Sequence, residues 1–211
     1  MPQRIIGISK RLIEVAEKEF LEHGFEGASI RTIAQKAQTS PRAIYTRFKN
    51  KEALFEAVIE PAYSDFMELF KNDKKVYWEN AENGKLPEKP EEYYTKYLDF
   101  AYNHKKQFTL LLTSSKGSRF ESFIENLVQM DLDYLYTYLP RVLNNHLAPS
   151  SDLLKSWGIS DSSRRLFFES ITLSFYQNLF IPFKKNMLLE DARDYIIKLT
   201  QFYSAGITTM R

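Results

Sequence analysis

Apolar positions recur along this chain at three- and four-residue intervals, and nowhere do they alternate as they would on a strand. Ile13, Ala16 and Phe20 form a stripe that predicts a first helix, with Gly24 as its stop and Phe25 filling the corner. Ile30, Ile33, Ala34 and Ala37 predict a short second helix, and Ile44 with Phe48 a third. Ser29 and Ser40 stand where each would cap one of these, and Pro41 takes a first helical position, where its missing N–H is harmless. Asn50 is placed to cap a fourth helix, which Leu54, Phe55, Val58, Ile59, Phe66, Leu69 and Phe70 carry toward residue 71. Pro61 interrupts it and predicts a bend. Residues 72–90 are polar, hold Asn83-Gly84, Pro87 and Pro90, and predict a loop tacked down by Val76, Tyr77 and Trp78. Beyond them the pattern predicts helices over 91–103, 107–113, 120–147 with a bend at Pro140, 161–181 and 190–207. Breaks fall at 114–118, 149–152, 157–160 and 182–186. The fold class is all-α, divided into residues 1–60 and 61–211.

Charge changes the picture of the second and third helices. The stretch 29–51 contains Arg31, Lys36, Arg42, Arg47, Lys49 and Lys51 and no acidic residue. At about 100° per residue, Ile44 and Phe48 point inward, Arg42 and Thr46 point directly outward, and Ala43, Tyr45 and Arg47 flank them. Two short helices joined by a tight turn under a basic face are the pattern of a DNA-binding helix-turn-helix. A solvated cationic face is the alternative that the charges alone leave open. The formal charge of the whole chain is only +2, so the basic surface is local, as reading of duplex DNA requires.

Residues 10–60 resemble the DNA-binding domain of the TetR family of bacterial transcriptional regulators. The resemblance lies in Glu22-His23-Gly24-Phe25, in Thr32-Ile33-Ala34, in Ile44-Tyr45 and in Phe48-Lys49-Asn50-Lys51-Glu52. Where that family usually has Gly and an aliphatic residue in the turn, this chain has Gln38 and Thr39, which predicts a turn of different shape. The resemblance implies contact with double-stranded DNA through Ser29, Arg31, Thr32, Ser40, Pro41, Arg42, Ala43, Tyr45, Thr46, Arg47, Lys49 and Lys51. Lys51, beside the first N–H groups of the fourth helix, is expected at a phosphate.

Other chemistry is sparse. With 44% hydrophobic and 15% aromatic residues the chain can fill a core. The absence of cysteine excludes disulfides and thiolate metal sites. His23, His104 and His146 lack partners at metal-ligand spacing, and no nucleophile elbow, phosphate loop or dinucleotide fingerprint occurs. No enzyme, metal or cofactor is expected. The N-terminus lacks a signal-peptide pattern, and the longest apolar stretch, 166–183, is broken by Glu169, Gln177, Asn178 and Pro182, so no membrane span and a cytoplasmic location are expected.

The C-terminal part has aromatic stripes, and two explanations stand side by side. Tyr97, Phe100, Phe123, Leu127, Tyr134 and Tyr138 are either ordinary core or the wall of an amphipathic small-molecule cavity. The resemblance implies the cavity, for an effector expected to be largely apolar. The helix from residue 161 is apolar on two sides, which fits either a central helix of a monomeric bundle or a subunit interface. The resemblance implies a homodimer, with Leu166, Leu173, Tyr176, Phe180, Ile196, Leu199 and Tyr203 at the contact and Pro61 as a hinge. Two functions follow: a repressor released from a pseudo-palindromic operator by a small molecule, or a DNA-binding protein of the same architecture that acts without an inducer.

Overall fold

The computed structural model describes residues 2–85, 89–146 and 161–209. Helices account for nearly all of them, and no strand occurs among the described residues. In chain order they are α1 (Pro2–Gly27), α2 (Ile30–Lys36), α3 (Pro41–Tyr45), α4 (Lys51–Glu82), α5 (Glu91–Asn103), α6 (Lys105–Thr113), α7 (Phe123–His146), α8 (Asp161–Leu179), α9 (Ile181–Lys184) and α10 (Leu189–Thr209). The expected breaks at 149–152 and 157–160 lie outside the described residues.

The chain forms two compact units. One is Met1–Phe66 with Asn103–Phe123; the other is Met67–Tyr102 with Ile124–Arg211. Residue 60, where a boundary is expected, lies within the first unit, and α6 and the loop after it belong to that unit as well.

The first unit is built on Leu12, Ala16, Phe20, Ile33, Ile44, Leu54 and Phe55, all buried. Leu12, more than Ile13, carries the inward stripe of α1. At Gly24 the backbone leaves the helical region (φ 69°), a conformation glycine adopts without penalty, and α1 kinks there. Phe25 then donates its N–H to the Ser114 carbonyl at 2.8 Å and sets its ring edge against Phe55, centroids 5.2 Å apart. From α6, Phe108 closes the far side of this core against Phe66, 5.1 Å away.

In the second unit Leu98, Ala101, Leu127, Tyr176, Leu179, Phe180 and Ile196 are fully buried. The largest departure from the sequence pattern lies here. Residues 72–82, expected as loop, continue α4. The reason is that Asp73 and Lys74 are buried and paired: Lys96 donates to Asp73 and Lys74 donates to Asp131, each at 2.8 Å. Trp78 and Ala81 follow on the same buried side. Pro61 lies inside α4 on an exposed position, and the helix runs on through it.

Candidate functional site

Two places collect functional side chains, one in each unit. In the first, the caps expected from the serines form: Ser29 Oγ accepts from the Thr32 N–H at 3.4 Å, and Ser40 Oγ accepts from the Ala43 N–H at 3.2 Å. Between α2 and α3 the chain turns through Gln38 in the left-handed region (φ 55°), with Thr39 N–H bonded to the Ala34 carbonyl at 2.9 Å. Gln38 thus takes the conformation a glycine would favour. Ile44 is completely buried, so Arg42, Ala43, Tyr45, Thr46 and Arg47 all stand exposed around it. Tyr45 is 52% exposed, high for a tyrosine with no core role. Thr46 turns its hydroxyl back to the Arg42 carbonyl at 2.9 Å. Arg31, Ser40, Pro41 and Lys49 are exposed as well, while Ser29 and Thr32 are half-buried.

Lys36 and Lys51, two cations of the basic stretch, hold parts of the fold together. Lys36 binds Glu19 at 2.8 Å, and Glu19 is buried under α2, where it also accepts from the Ser29 N–H at 3.4 Å. Burial alone would raise the Glu19 pKa; the bonds from Lys36 and Ser29 outweigh it and hold the group below its ordinary value. Lys51, expected at a phosphate, donates to the carbonyls of Glu26 at 3.1 Å and Ala28 at 3.3 Å and sits 4.8 Å over the Phe25 ring. It ties the end of α1 to the start of α4. Asn50 caps that helix, its Oδ1 accepting from the Ala53 N–H at 2.8 Å. Glu19, Glu22 and His23 also cluster, but the Glu19 oxygens already serve Lys36 and Ser29.

Residues 12–58 match the family model of the bacterial regulatory proteins of the tetR family. The likeness to the tetR family lies in these residues, under a quarter of the chain. A helix-turn-helix transcriptional repressor of Streptomyces coelicolor is 40% identical over 55 residues, which are 26% of this chain and 29% of the repressor's length. Over nearly the whole chain the fold is shared with solved structures. A transcriptional regulator of Aquifex aeolicus VF5 aligns with a TM-score of 0.57 at 21% identity, covering 93% of this chain and 99% of the other. A TetR-like transcriptional regulator of Rhodococcus sp. RHA1 aligns with a TM-score of 0.54 at 20% identity, covering 94% and 96%. The TetR family and these relatives are transcriptional regulators, not enzymes.

The second unit holds a cavity of about 380 Å³. Its wall is aromatic, from Tyr77, Trp78, Tyr93, Tyr94, Tyr97 and Phe175, with Leu135, Leu139, Phe168 and Ile171 completing the apolar part. Of the six residues expected at a pocket only Tyr97 lines it. Phe123 and Leu127 are core, Tyr134 stacks on Tyr138, and Tyr138 stacks on Trp78 behind the wall. Phe100 is half-buried and also lies off it. Asp73, Lys74 and Asp131, which the sequence pattern passed over, are on the wall. For Asp73 and Lys74 the signal was a charged pair on the apolar period of α4; Asp131 lies on α7.

Inside the cavity Lys74 lies 2.8 Å from Asp131 Oδ2 and over the rings of Phe70, Tyr94 and Tyr176 at 5.5, 5.4 and 5.7 Å. Burial works against its charge, but Asp131 prevails and raises its pKa above the ordinary lysine value. Tyr176 donates to the same Asp131 oxygen at 2.8 Å. The Tyr97 hydroxyl is pushed far up by burial, and further by the Asp73 carboxylate beside it, so it remains protonated.

The residues expected at a dimer contact divide. Tyr176, Phe180 and Ile196 are fully buried in the chain's own core, and Tyr203 shares a hydrogen bond with Ser174 at 2.7 Å. Leu173 and Leu199 are half-buried, and Leu166 is 64% exposed. Phe202, three residues beyond Leu199 on α10, is 75% exposed. Among the described residues no helix is long and apolar enough to cross a membrane.

Proposed function

We propose that this protein is a ligand-responsive transcriptional repressor that binds a pseudo-palindromic operator as a homodimer and leaves it when a small molecule fills the cavity. The observation that carries the reading is the exposed face of α3, where Arg42, Tyr45 and Arg47 surround a buried Ile44 and no carboxylate interrupts them. One such head covers too few base pairs for useful affinity, so a two-fold pair reading half-sites about 34–36 Å apart is the working form. Its place of action is the cytoplasm, where bacterial DNA is. Arg31, Arg42, Arg47 and Lys49 carry the charge that meets DNA; Lys51 and Lys36 act by holding the head together. The cavity is the effector site, and α4, which contributes residues to both units, is the route of the signal, with Pro61 as its bending point.

The test begins by selecting bound duplexes from a random library with the full chain. A pseudo-palindrome should emerge. Arg42→Ala should then weaken it by about 1–3 kcal/mol and relax the preference at one position per half-site. Fluorescence anisotropy reads both. Unchanged discrimination by the variant would remove α3 from base reading, and a selection without a consensus would remove the repressor.

A further inference from the structure

The turn between α2 and α3 holds a residue ill suited to its backbone. The end of α2 dictates the geometry: the Gln38 N–H bonds the Gln35 carbonyl at 3.1 Å, and the Thr39 N–H bonds the Ala34 carbonyl at 2.9 Å. In this closure the residue just past the helix turns left-handed, and Gln38 does so at φ 55°. Glycine has no Cβ to crowd the following carbonyl, whereas a side chain raises the energy of that conformation. Among the described residues the other side chain held in this way is Asn186, whose short amide can bond locally. Glutamine is a methylene longer and has no such excuse.

The Gln38 side chain gives the fold nothing in exchange. It is exposed, and among the described residues none bonds its amide. Strain kept without a stabilising contact is found where a site uses the residue. Position narrows the use. Gln38 stands in the stretch 29–51, which has six cations and no carboxylate, two residues before the Ser40 cap and four before Arg42. In a docked helix-turn-helix the start of the second helix meets base edges while the first crosses the backbone, so the turn joining them lies over the strand that borders the groove. Phosphate oxygens there only accept, and a glutamine amide offers two donors.

We propose that Gln38 binds a DNA phosphate, its amide NH2 donating to a backbone oxygen at the edge of the half-site read by α3. The inference rests on the DNA-binding reading above and adds to it a contact that carries no charge.

Three variants of the full chain test it, titrated by fluorescence anisotropy with the selected duplex over a range of salt. Gln38→Gly relieves the turn and Gln38→Ala keeps its strain, yet both lose the amide. Both should therefore weaken binding by the same factor, at least about threefold. Because glutamine is neutral, the slope of log K against log salt should stay as it is in both, and so should the preference among sequences. Gln38→Glu, of nearly equal size, sets a like charge against the phosphate and should weaken binding at least about tenfold at low salt. In thermal unfolding, Gln38→Gly should melt no lower than the original chain and up to about 4 °C higher. Unchanged affinity in Gln38→Gly and Gln38→Ala, or a loss in Gln38→Gly alone, would overturn the proposal. A preference relaxed at one base position would make Gln38 a base reader and overturn the phosphate contact. A lower melting temperature for Gln38→Gly would overturn it too, since the glutamine would then serve the turn itself. An original chain that selects no consensus removes the repressor reading and this contact together, whereas a consensus that all three variants bind equally well removes the Gln38 contact alone.

Discussion

Glu19 holds a carboxylate under the reading head, where almost no water reaches it, because two donors converge on it. Removing the charge leaves Lys36 to solvent and the Ser29 N–H with a poorer acceptor at the start of α2. Glu19→Gln should therefore lower stability by about 1–3 kcal/mol, the range for hydrogen bonds to a charged group. The sign with pH is fixed by the depressed pKa: the contribution is whole above the unfolded value, near 4.5, and is lost as pH falls through the lower folded value. Thermal unfolding followed between neutrality and pH 3 should show the variant and the original chain converging at the acid end. Parallel curves would show that Glu19 contributes nothing through its charge. At this scale the sequence was most legible where a residue acts on its own neighbours. Ser29, Ser40 and Asn50 cap helices three residues away, a distance that type and spacing reveal. It was least legible for Lys51, since ammonium beside phosphate and ammonium beside carbonyl look alike until α1 is seen to end there.

Among the elements, α4 shows why charge alone is a poor guide to exposure. Asp73 and Lys74 look like the beginning of a loop, yet their partners, Lys96 and Asp131, lie 23 and 57 residues further along the chain. Only the packing of α5 and α7 brings those partners in, and with them the acidic part of the cavity wall. Five of the six residues expected at a pocket lie off this cavity for a related reason. An aromatic stripe announces a buried face but does not say whether the face meets another helix or a cavity. Pro61 is the remaining irregularity of α4. It deprives the Ala57 carbonyl of its bond, and its exposed ring has few contacts to lose. Pro61→Ala should stabilise the chain by about 1–3 kcal/mol in urea unfolding. If the helix bends there on release, the variant should also need a different effector concentration to leave operator. No gain in stability would show that the surrounding structure already compensates for the missing bond.

For the whole molecule, the question is what covers the apolar side chains left on α8 and α10. Leu166 and Phe202 are the most exposed, and Leu173 and Leu199 complete the stripe. In a homodimer joined there, Phe202→Asp with Leu166→Asp would bury charges without partners, and sedimentation at micromolar concentration should find monomers. Operator affinity should fall with them, while the helical spectrum stays the same. A dimer that survives both changes would place the contact elsewhere.

The discontinuous make-up of the reading unit also bears on engineering. Its core is closed by residues that come after residue 102: Phe108 against Phe66, Phe120 against Tyr63, Ser114 bonded to Phe25, and Arg119 bonded to Glu52, Glu56 and Glu60. A chimera that exchanges only the N-terminal segment between two regulators would graft a head onto a foreign lid. Transplanting 103–123 together with 1–66 keeps the closure native, and the splice sites then fall inside α4, at the end of α5 and at the start of α7. Recombination between relatives faces the same constraint, so new pairings of operator and effector are most easily reached by changing side chains on α3 and around the cavity in place.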